Sequence, residues 1–142
     1  MSESVATPDH ILLRAADSRL TVHFAKTGTV SAWAISRLEE VEAVWQRLER
    51  RGIESPGQSL PFIRSWAKAL GIAEADQLYI VGQVDGIAVA LLPLLRRRRH
   101  GIRVLSWFPG SHVGCNAPLI DRDRLAALTP VQRRDFWARM RA

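Results

Sequence analysis

Three runs of apolar and β-branched residues lie close together in the middle of the chain, at 77–84, 87–95 and 102–108. Asp85-Gly86 separates the first two runs, and this pair is typical of a two-residue hairpin turn because the turn requires a positive φ at both positions. The second run is apolar at successive positions, which indicates an inner strand covered on both faces. The pattern therefore predicts a three-stranded antiparallel meander with residues 87–95 at its centre.

Two further segments, at 20–25 and 30–35, combine alternation with β-branched residues and predict strands that extend the sheet on its N-terminal side. Pro93 lies inside the inner run of the meander, where it removes a backbone donor. A proline at such a position is typical of a bulge, or of a place where a strand leaves the sheet.

Apolar residues recur at helical spacing in the segment between the two sets of strands, and its first helix has a stripe made of Leu38, Val41, Val44, Trp45 and Leu48. Ser36 and Glu39 have the spacing of a capping box, which predicts that Ser36 opens this helix. Ser59 is the predicted N-cap of a second helix. Thr129 followed by Pro130 predicts the start of a last one.

These elements predict a protein of the α/β class, more closely of the α+β type, in which helices flank the antiparallel meander. We expect residues 19–142 to form a single lobe and residues 1–18 to form a loose arm. The last helix presents Trp137 and Met140 close to the end of the sequence. We interpret these two side chains as an apolar surface for a missing C-terminal lobe, or for a second copy of the chain.

The charge balance narrows the classes of partner. The formal net charge is +6, and 18 of the 20 basic residues are arginine. Such a balance favours anionic partners, although codon bias toward arginine together with solubility is the simpler explanation. The start of the sequence has no signal peptide pattern and no apolar run reaches about 18 residues, which predicts a cytoplasmic protein without a membrane span. A single cysteine and the lack of metal-binding motifs predict no metal site.

The segment that follows the meander is rich in glycine and proline and contains most of the side chains with possible chemistry. Its candidate substrate-binding residues are Trp107, Ser111, His112, Cys115 and Asn116. Loops at strand ends are where functional side chains concentrate. Neither a nucleophile elbow nor a papain-type context surrounds the serine or the cysteine, so nucleophilic hydrolysis is disfavoured. The alternative is a loop that only packs across the end of the sheet.

Four successive arginines, Arg96, Arg97, Arg98 and Arg99, precede His100-Gly101 and are candidates for anion binding. Adjacent side chains of an extended segment point to opposite faces, so the four cannot all serve one buried site. The simpler interpretation is a solvated, arginine-rich turn at a hairpin tip. No aromatic residues alternate with the arginines, which disfavours a binder of single-stranded nucleic acid.

The order of these features resembles a known family. The segments that carry the resemblance are 45–48 and 61–66 in the two helices, then Leu-Pro-Leu at 92–94, the arginine-rich stretch at 96–101, and Asn-Ala-Pro-Leu at 116–119. Together they resemble the N-terminal half of the CelD-like acyltransferases. These belong to the GNAT superfamily and are related to the FemAB type.

The resemblance implies a GNAT-like lobe that takes part in transferring an acyl group from acetyl-CoA or another acyl-CoA to a small-molecule amine. A link to cellulose or other exopolysaccharide production is implied only by the family's usual label. In this family the acyl donor is expected in a second lobe. The basic, glycine-rich turn into a helix that would hold the pyrophosphate has no match in the sequence. We therefore expect no coenzyme site on this chain alone.

Three hypotheses follow from the sequence. The first is the N-terminal lobe of an N-acyltransferase that shapes the acceptor side of a cleft. The second is a basic interaction domain for nucleic acid or another anionic partner, without catalysis. The third is a structural lobe that forms a dimer through Trp137 and Met140.

Overall fold

The computed structural model describes residues 19–22, 29–108 and 116–141, and for 19–22 it describes the backbone pairing alone. The described residues form a mixed α+β structure with an antiparallel sheet in the order β1-β2-β3-β4-β5, and β6 also pairs with β4. The strands are β1 Arg19–Val22, β2 Val30–Ile35, β3 Gln77–Val84, β4 Ile87–Arg99, β5 Ile102–Trp107 and β6 Leu119–Ile120. The helices are α1 Leu38–Glu49, α2 Leu60–Ala69, α3 Arg122–Ala126 and α4 Pro130–Met140, with short 3₁₀ turns at Pro56–Gln58 and Glu74–Asp76.

The predicted meander and both N-terminal strands are confirmed. Asp85 and Gly86 have φ values of 52° and 75°, so the turn between β3 and β4 has the two positive φ angles that the sequence indicated. The second turn of the meander is equally short, because His100 and Gly101 have φ values of 49° and 81°. The predicted arginine-rich turn is therefore wrong in its extent, because Arg96–Arg99 belong to strand β4.

Helices cover both faces of the sheet, as the apolar inner run predicted. On one face, α1 and α2 pack against a core that includes Trp45, Tyr79, Leu91 and Phe108. On the other face, α4 and the segment before it pack against a second core, whose buried residues are Val30, Ala32, Val89, Ala90, Leu125, Leu128, Phe136 and Met140. Strand β4 supplies residues to both cores, so it holds the two layers together.

The start of α1 differs from the prediction. The N-cap is Arg37, without a hydrogen bond from its side chain, and the predicted capping box of Ser36 and Glu39 is wrong. The Ser36 hydroxyl instead accepts a hydrogen bond from Arg96 at 2.9 Å. A tertiary contact has therefore replaced the local cap. The predicted caps of the other helices are confirmed, since the Ser59 side chain accepts from the Phe62 N–H and the Thr129 side chain from the Gln132 N–H.

Strand β4 contains a bulge at Val89. Gly82 pairs with Ala90 and Gln83 with Ala88, which leaves Val89 as the extra residue of β4. Val89 and Ala90 both lie in the second core. Position 82 in β3 requires a glycine, because a Cβ built there would lie 2.5 Å from Met140 Sδ and 2.7 Å from Phe136 Cε2.

The position of α4 corrects the predicted partner surface. Met140 is 1% exposed and belongs to the second core, and Trp137 is half-buried against Phe136 with ring centroids 5.2 Å apart. The sheet of the same chain therefore covers Met140, so this side chain is not available for a dimer interface or for another lobe. In the part of the chain that the structure describes, no helix is long and apolar enough to cross a bilayer. The predicted loose arm, 1–18, lies outside the described residues.

Candidate functional site

The outer edge of β4 is paired by two separate strands. β5 pairs with Leu94–Arg99, and β6 pairs with Ala90 and Leu91. Within the described ranges, Leu92 and Pro93 have no strand partner on this edge. β5 ends at Trp107 and β6 begins at Leu119, so the connection between them starts and ends at this gap. We call the place opposite Leu92 and Pro93 the β5–β6 gap.

Pro93 fits the gap because of its chemistry. It keeps its register with Tyr79 of β3, and its carbonyl accepts a hydrogen bond from the Phe108 N–H at 3.2 Å on the other side. The N–H and C=O positions of one residue in an antiparallel strand face the same neighbour, so the donor that proline lacks would also face the gap. The prediction of a bulge or of a departing strand at Pro93 is wrong, because β4 runs through Pro93 in register with β3. The bulge lies at Val89.

The first end of the connection is fixed by an aromatic row. Phe108 is fully buried, and its ring centroid lies 6.1 Å from that of Tyr79, which in turn lies 6.0 Å from that of Trp45. The Tyr79 hydroxyl donates a hydrogen bond of 2.6 Å to the Gln77 side chain. Burial, with a smaller contribution from the charge of Glu39, raises the pKa of Tyr79 far above its usual range.

The second end of the connection is fixed by Gln58. Its Nε2 lies within hydrogen-bonding distance of the carbonyls of Ala117, at 3.4 Å, and Pro118, at 3.2 Å. Its Oε1 accepts from the backbone N–H groups of Glu54 and Ser55, and its own carbonyl accepts from the Trp45 indole N–H at 2.8 Å. One buried amide thereby joins the connection to the turn before α2 and to the aromatic row.

Asp121 is the residue directly after β6. This carboxylate is 1% exposed, caps α3 by accepting from the Arg124 N–H at 3.2 Å, and lies 3.5 Å from the Arg51 guanidinium. The side chains of Ser59, Asp121 and Thr129 cap α2, α3 and α4, whereas the N-terminus of α1 has no side-chain cap.

The structure places two of the five candidate substrate-binding residues. Trp107 is half-buried at the end of β5, and Asn116 is exposed at the other end of the connection, so both border the β5–β6 gap. Ser111, His112 and Cys115 lie outside the described residues. Gln58 was not predicted as part of the site, because a glutamine in a segment that reads as a linker has no local signal of burial.

The four candidate anion-binding arginines have different environments. Arg96 Nη1 lies within hydrogen-bonding distance of Ser36 Oγ and of the Ala75 and Gln77 carbonyls, at 2.7–3.0 Å. Arg97, Arg98 and Arg99 are exposed, and within the described ranges no carboxylate pairs with them. Arg96 therefore anchors the base of the β4–β5 hairpin, and the other three arginines face solvent.

Among residues 19–22, 29–108 and 116–141, no three histidine, cysteine or acidic side chains gather as a possible metal site. No protein-family model, curated protein or solved structure matches the chain. A family can therefore only be proposed, from the residues that carry the resemblance.

Proposed function

We propose that this chain is the acceptor-side lobe of a GNAT-type, CelD-like N-acyltransferase, which holds a small-molecule amine while an acyl group is transferred to it. The acyl donor, acetyl-CoA or another acyl-CoA, is assigned to the complete protein. The resemblance implies that this donor binds in a second lobe, so the proposal assigns no residue of this chain to it.

The order of the elements supports the proposal. Two helices precede the meander, the meander carries Leu-Pro-Leu in its inner strand, and the Asn-Ala-Pro-Leu segment returns to pair with that strand. These are the segments that carry the resemblance. Two of these segments, Leu-Pro-Leu in β4 and Asn-Ala-Pro-Leu before and in β6, lie next to each other at the β5–β6 gap, which supports the proposal.

The observation that carries the proposal is the way the two ends of the connection are held. Phe108 is locked in the aromatic row, and the Gln58 amide holds the carbonyls of Ala117 and Pro118. A binding loop needs a rigid support, since a loose loop loses much of its binding free energy to ordering. Trp107 offers an apolar wall and Asn116 offers a hydrogen-bonding amide at the mouth of the gap, which suits a small polar amine.

The test is an NMR titration of the whole chain with glucosamine, lysine and putrescine as amine probes. We expect at least one probe to shift the Trp107 indole signal and the Asn116 amide signal saturably. The Trp66 indole signal should not move, because Trp66 lies in α2, stacked on Phe62 of the same helix and against the first core. A lack of any response at Trp107 would contradict the proposal.

Acetyl-CoA provides the second arm of the test. The proposal places the donor site elsewhere, so acetyl-CoA should not raise the melting temperature of this chain in a saturable way. A saturable rise would show a donor site within the chain and would overturn the acceptor-side assignment.

A variant of Gln58 tests the support of the loop. Gln58→Leu removes the amide that holds Ala117 and Pro118, so we expect the amine response at Asn116 to weaken at least several-fold. Gln46→Leu is the matched control, because Gln46 is exposed on α1 and its amide bonds only to Glu42 one turn before it. Far-UV circular dichroism confirms that both variants fold. Equal amine responses in both variants would refute this function of Gln58.

A further inference from the structure

The β4–β5 hairpin continues beyond the rest of the sheet. The last residue pair between β3 and β4 is Gln77 with Leu95, whereas β4 and β5 stay in register as far as Arg99 with Ile102. Four residue pairs thus form a two-stranded extension, about 13 Å long at a rise of about 3.3 Å per residue. We call residues 96–99 and 102–105 the basic ribbon.

The basic ribbon carries nearly all of the excess charge of the protein. From residue 86 to residue 120 the chain has five arginines and no acidic residue, whereas the rest of the chain has 15 basic and 14 acidic residues. Arg96 is held by Ser36 and two carbonyls. Arg97, Arg98, Arg99 and Arg103 have no ion pair within the described ranges.

The arginines occupy both faces of the basic ribbon. Successive strand residues alternate between faces, so Arg97 and Arg99 share the face of Leu95, while Arg98 lies on the opposite face. Arg103 is directly opposite Arg98 in the register and therefore shares its face. Two like charges in such a pair destabilise a hairpin by about 0.2–1 kcal/mol. The basic ribbon thus holds a charge arrangement that disfavours its own folding.

From this arrangement we propose that the basic ribbon binds double-stranded DNA by entering the major groove. A flat anionic surface, such as a membrane, meets only one face of a ribbon. A groove has phosphates on both sides, and arginines on both faces match it. The major groove of B-form DNA is about 12 Å wide and about 8.5 Å deep and accepts a two-stranded β-ribbon.

The remaining side chains of the basic ribbon are compatible with a groove. Ile102 and Leu105 are 66% and 55% exposed, and small apolar groups contact thymine methyl groups in the major groove. Single-stranded nucleic acid is bound by stacking its bases on aromatic rings, which the basic ribbon lacks. The bases of a duplex are already stacked on each other, so binding in a groove does not need such rings. The major groove of A-form RNA is too narrow for side chains to read, which separates the two kinds of duplex.

The first experiment measures fluorescence anisotropy of a labelled 20-base-pair DNA duplex with the whole chain at several salt concentrations. If the four unpaired arginines contact phosphates, log Kd should change with log salt with a slope of about 3.6. Between 50 and 200 mM salt this slope corresponds to a loss of affinity on the order of 100-fold. No binding at 50 mM salt would overturn the proposal.

Matched double variants then test the two faces. Arg97→Ala with Arg99→Ala removes one face, and Arg98→Ala with Arg103→Ala removes the other. Each pair should lower the salt slope by about 1.8 and weaken binding at least tenfold. The control is Arg50→Ala with Arg134→Ala, which removes the same charge from exposed positions at the C-cap of α1 and in α4. The control should keep its affinity within about threefold.

Four results would contradict binding in the major groove. If only one of the two face variants lowers the affinity for DNA, the basic ribbon binds a flat surface through one face. If the control lowers the affinity equally, the binding depends on net charge alone. Equal affinity for a 20-base-pair RNA duplex would exclude entry into the major groove. Vesicles of phosphatidylserine and phosphatidylcholine should bind more weakly than the DNA duplex at the same salt concentration, and stronger binding would assign the basic ribbon to anionic lipid instead.

Discussion

The two ends of strand β4 are paired by the same backbone geometry but have opposite environments. Residues 87–95 lie between β3 and the strands β5 and β6 and have a core on each face, whereas residues 96–99 pair only with β5 and are exposed. The comparison shows that a β-ladder extends as far as its hydrogen bonds have partners, and that burial can end several residues earlier. We infer that the first part holds the fold together and that the second part is free to recognise a partner.

The comparison predicts that two alanine substitutions in β4 lower the free energy of unfolding by very different amounts. Leu91→Ala should lower the free energy of unfolding by about 2–5 kcal/mol, because Leu91 is fully buried in the first core. Arg99→Ala should change it by less than about 0.5 kcal/mol, because Arg99 is exposed. Urea unfolding of both variants checks the prediction. Similar losses would show that the basic ribbon is part of the stabilising structure.

A smaller loss is expected at the close approach of the sheet and α4. Gly82→Ala should cost about 1–3 kcal/mol, because the added methyl group would overlap Met140 and Phe136. In the double variant with Met140→Ala, the smaller side chain makes room, so the two losses should not add. Thermal unfolding of the two single variants and the double variant measures this coupling. Strict additivity would show that the overlap is relieved elsewhere.

Tyr79 reports on the boundary between the two ends of β4, because it pairs with Pro93 and bonds to Gln77, the partner of Leu95. Its pKa is raised by burial, so the folded state holds the phenol proton more tightly than the unfolded state. The stability that depends on this proton is present below pH 10 and decreases as the pH rises above the ordinary value near 10.

Tyr79→Phe should therefore lose about 0.5–1.5 kcal/mol at pH 7, through the hydrogen bond, and should show a weaker decline of stability between pH 10 and pH 11.5. Urea unfolding at each pH provides the measurement. Tyr79 is the only tyrosine, so phenolate absorbance at 295 nm should appear together with unfolding. Ionisation of Tyr79 in the folded protein near pH 10 would contradict its burial.

The smallest expected effect has the opposite sign. Arg98→Glu replaces a pair of like charges with an attractive pair, so the free energy of unfolding should rise by about 0.2–1 kcal/mol at low salt. The rise should diminish at high salt because both groups are exposed. Chemical unfolding at 20 mM and 500 mM salt compares the two conditions. A loss of stability would indicate that Arg98 has a favourable contact in the fold.

Much of the fold was predictable because several local signals agree. Each of these features follows from a few residues that are adjacent in the sequence: the turn at Asp85-Gly86, the inner strand, and the helix caps at Ser59 and Thr129. The strand character of residues 96–99 was not predictable from composition, because backbone pairing with β5 outweighs the preference of a charge run for a turn. Ser36 failed as a cap for a similar reason, since Arg96, 60 residues later, competes for its hydroxyl.

The candidate site was predictable only in part. The glycine- and proline-rich segment indicated where Trp107 and Asn116 would lie, whereas Pro93 wrongly indicated a bulge or a departing strand in β4. Gln58 could not be found in this way, because its importance comes from partners 59 and 60 residues away. The bulge at Val89 has no local mark either, since a valine fits a regular strand equally well.

The β5–β6 gap has a consequence for how the protein can diversify. β5 and β6 each have their own pairs with β4, so the register of the sheet does not depend on the length or composition of the connection between them. Lengthening a surface connection costs little, about 0.6 kcal/mol for each doubling. The connection can therefore be replaced by another sequence without changing the pairing of the strands. New residues between Phe108 and Ala117 would leave the pairs of β5 and β6 with β4 in place.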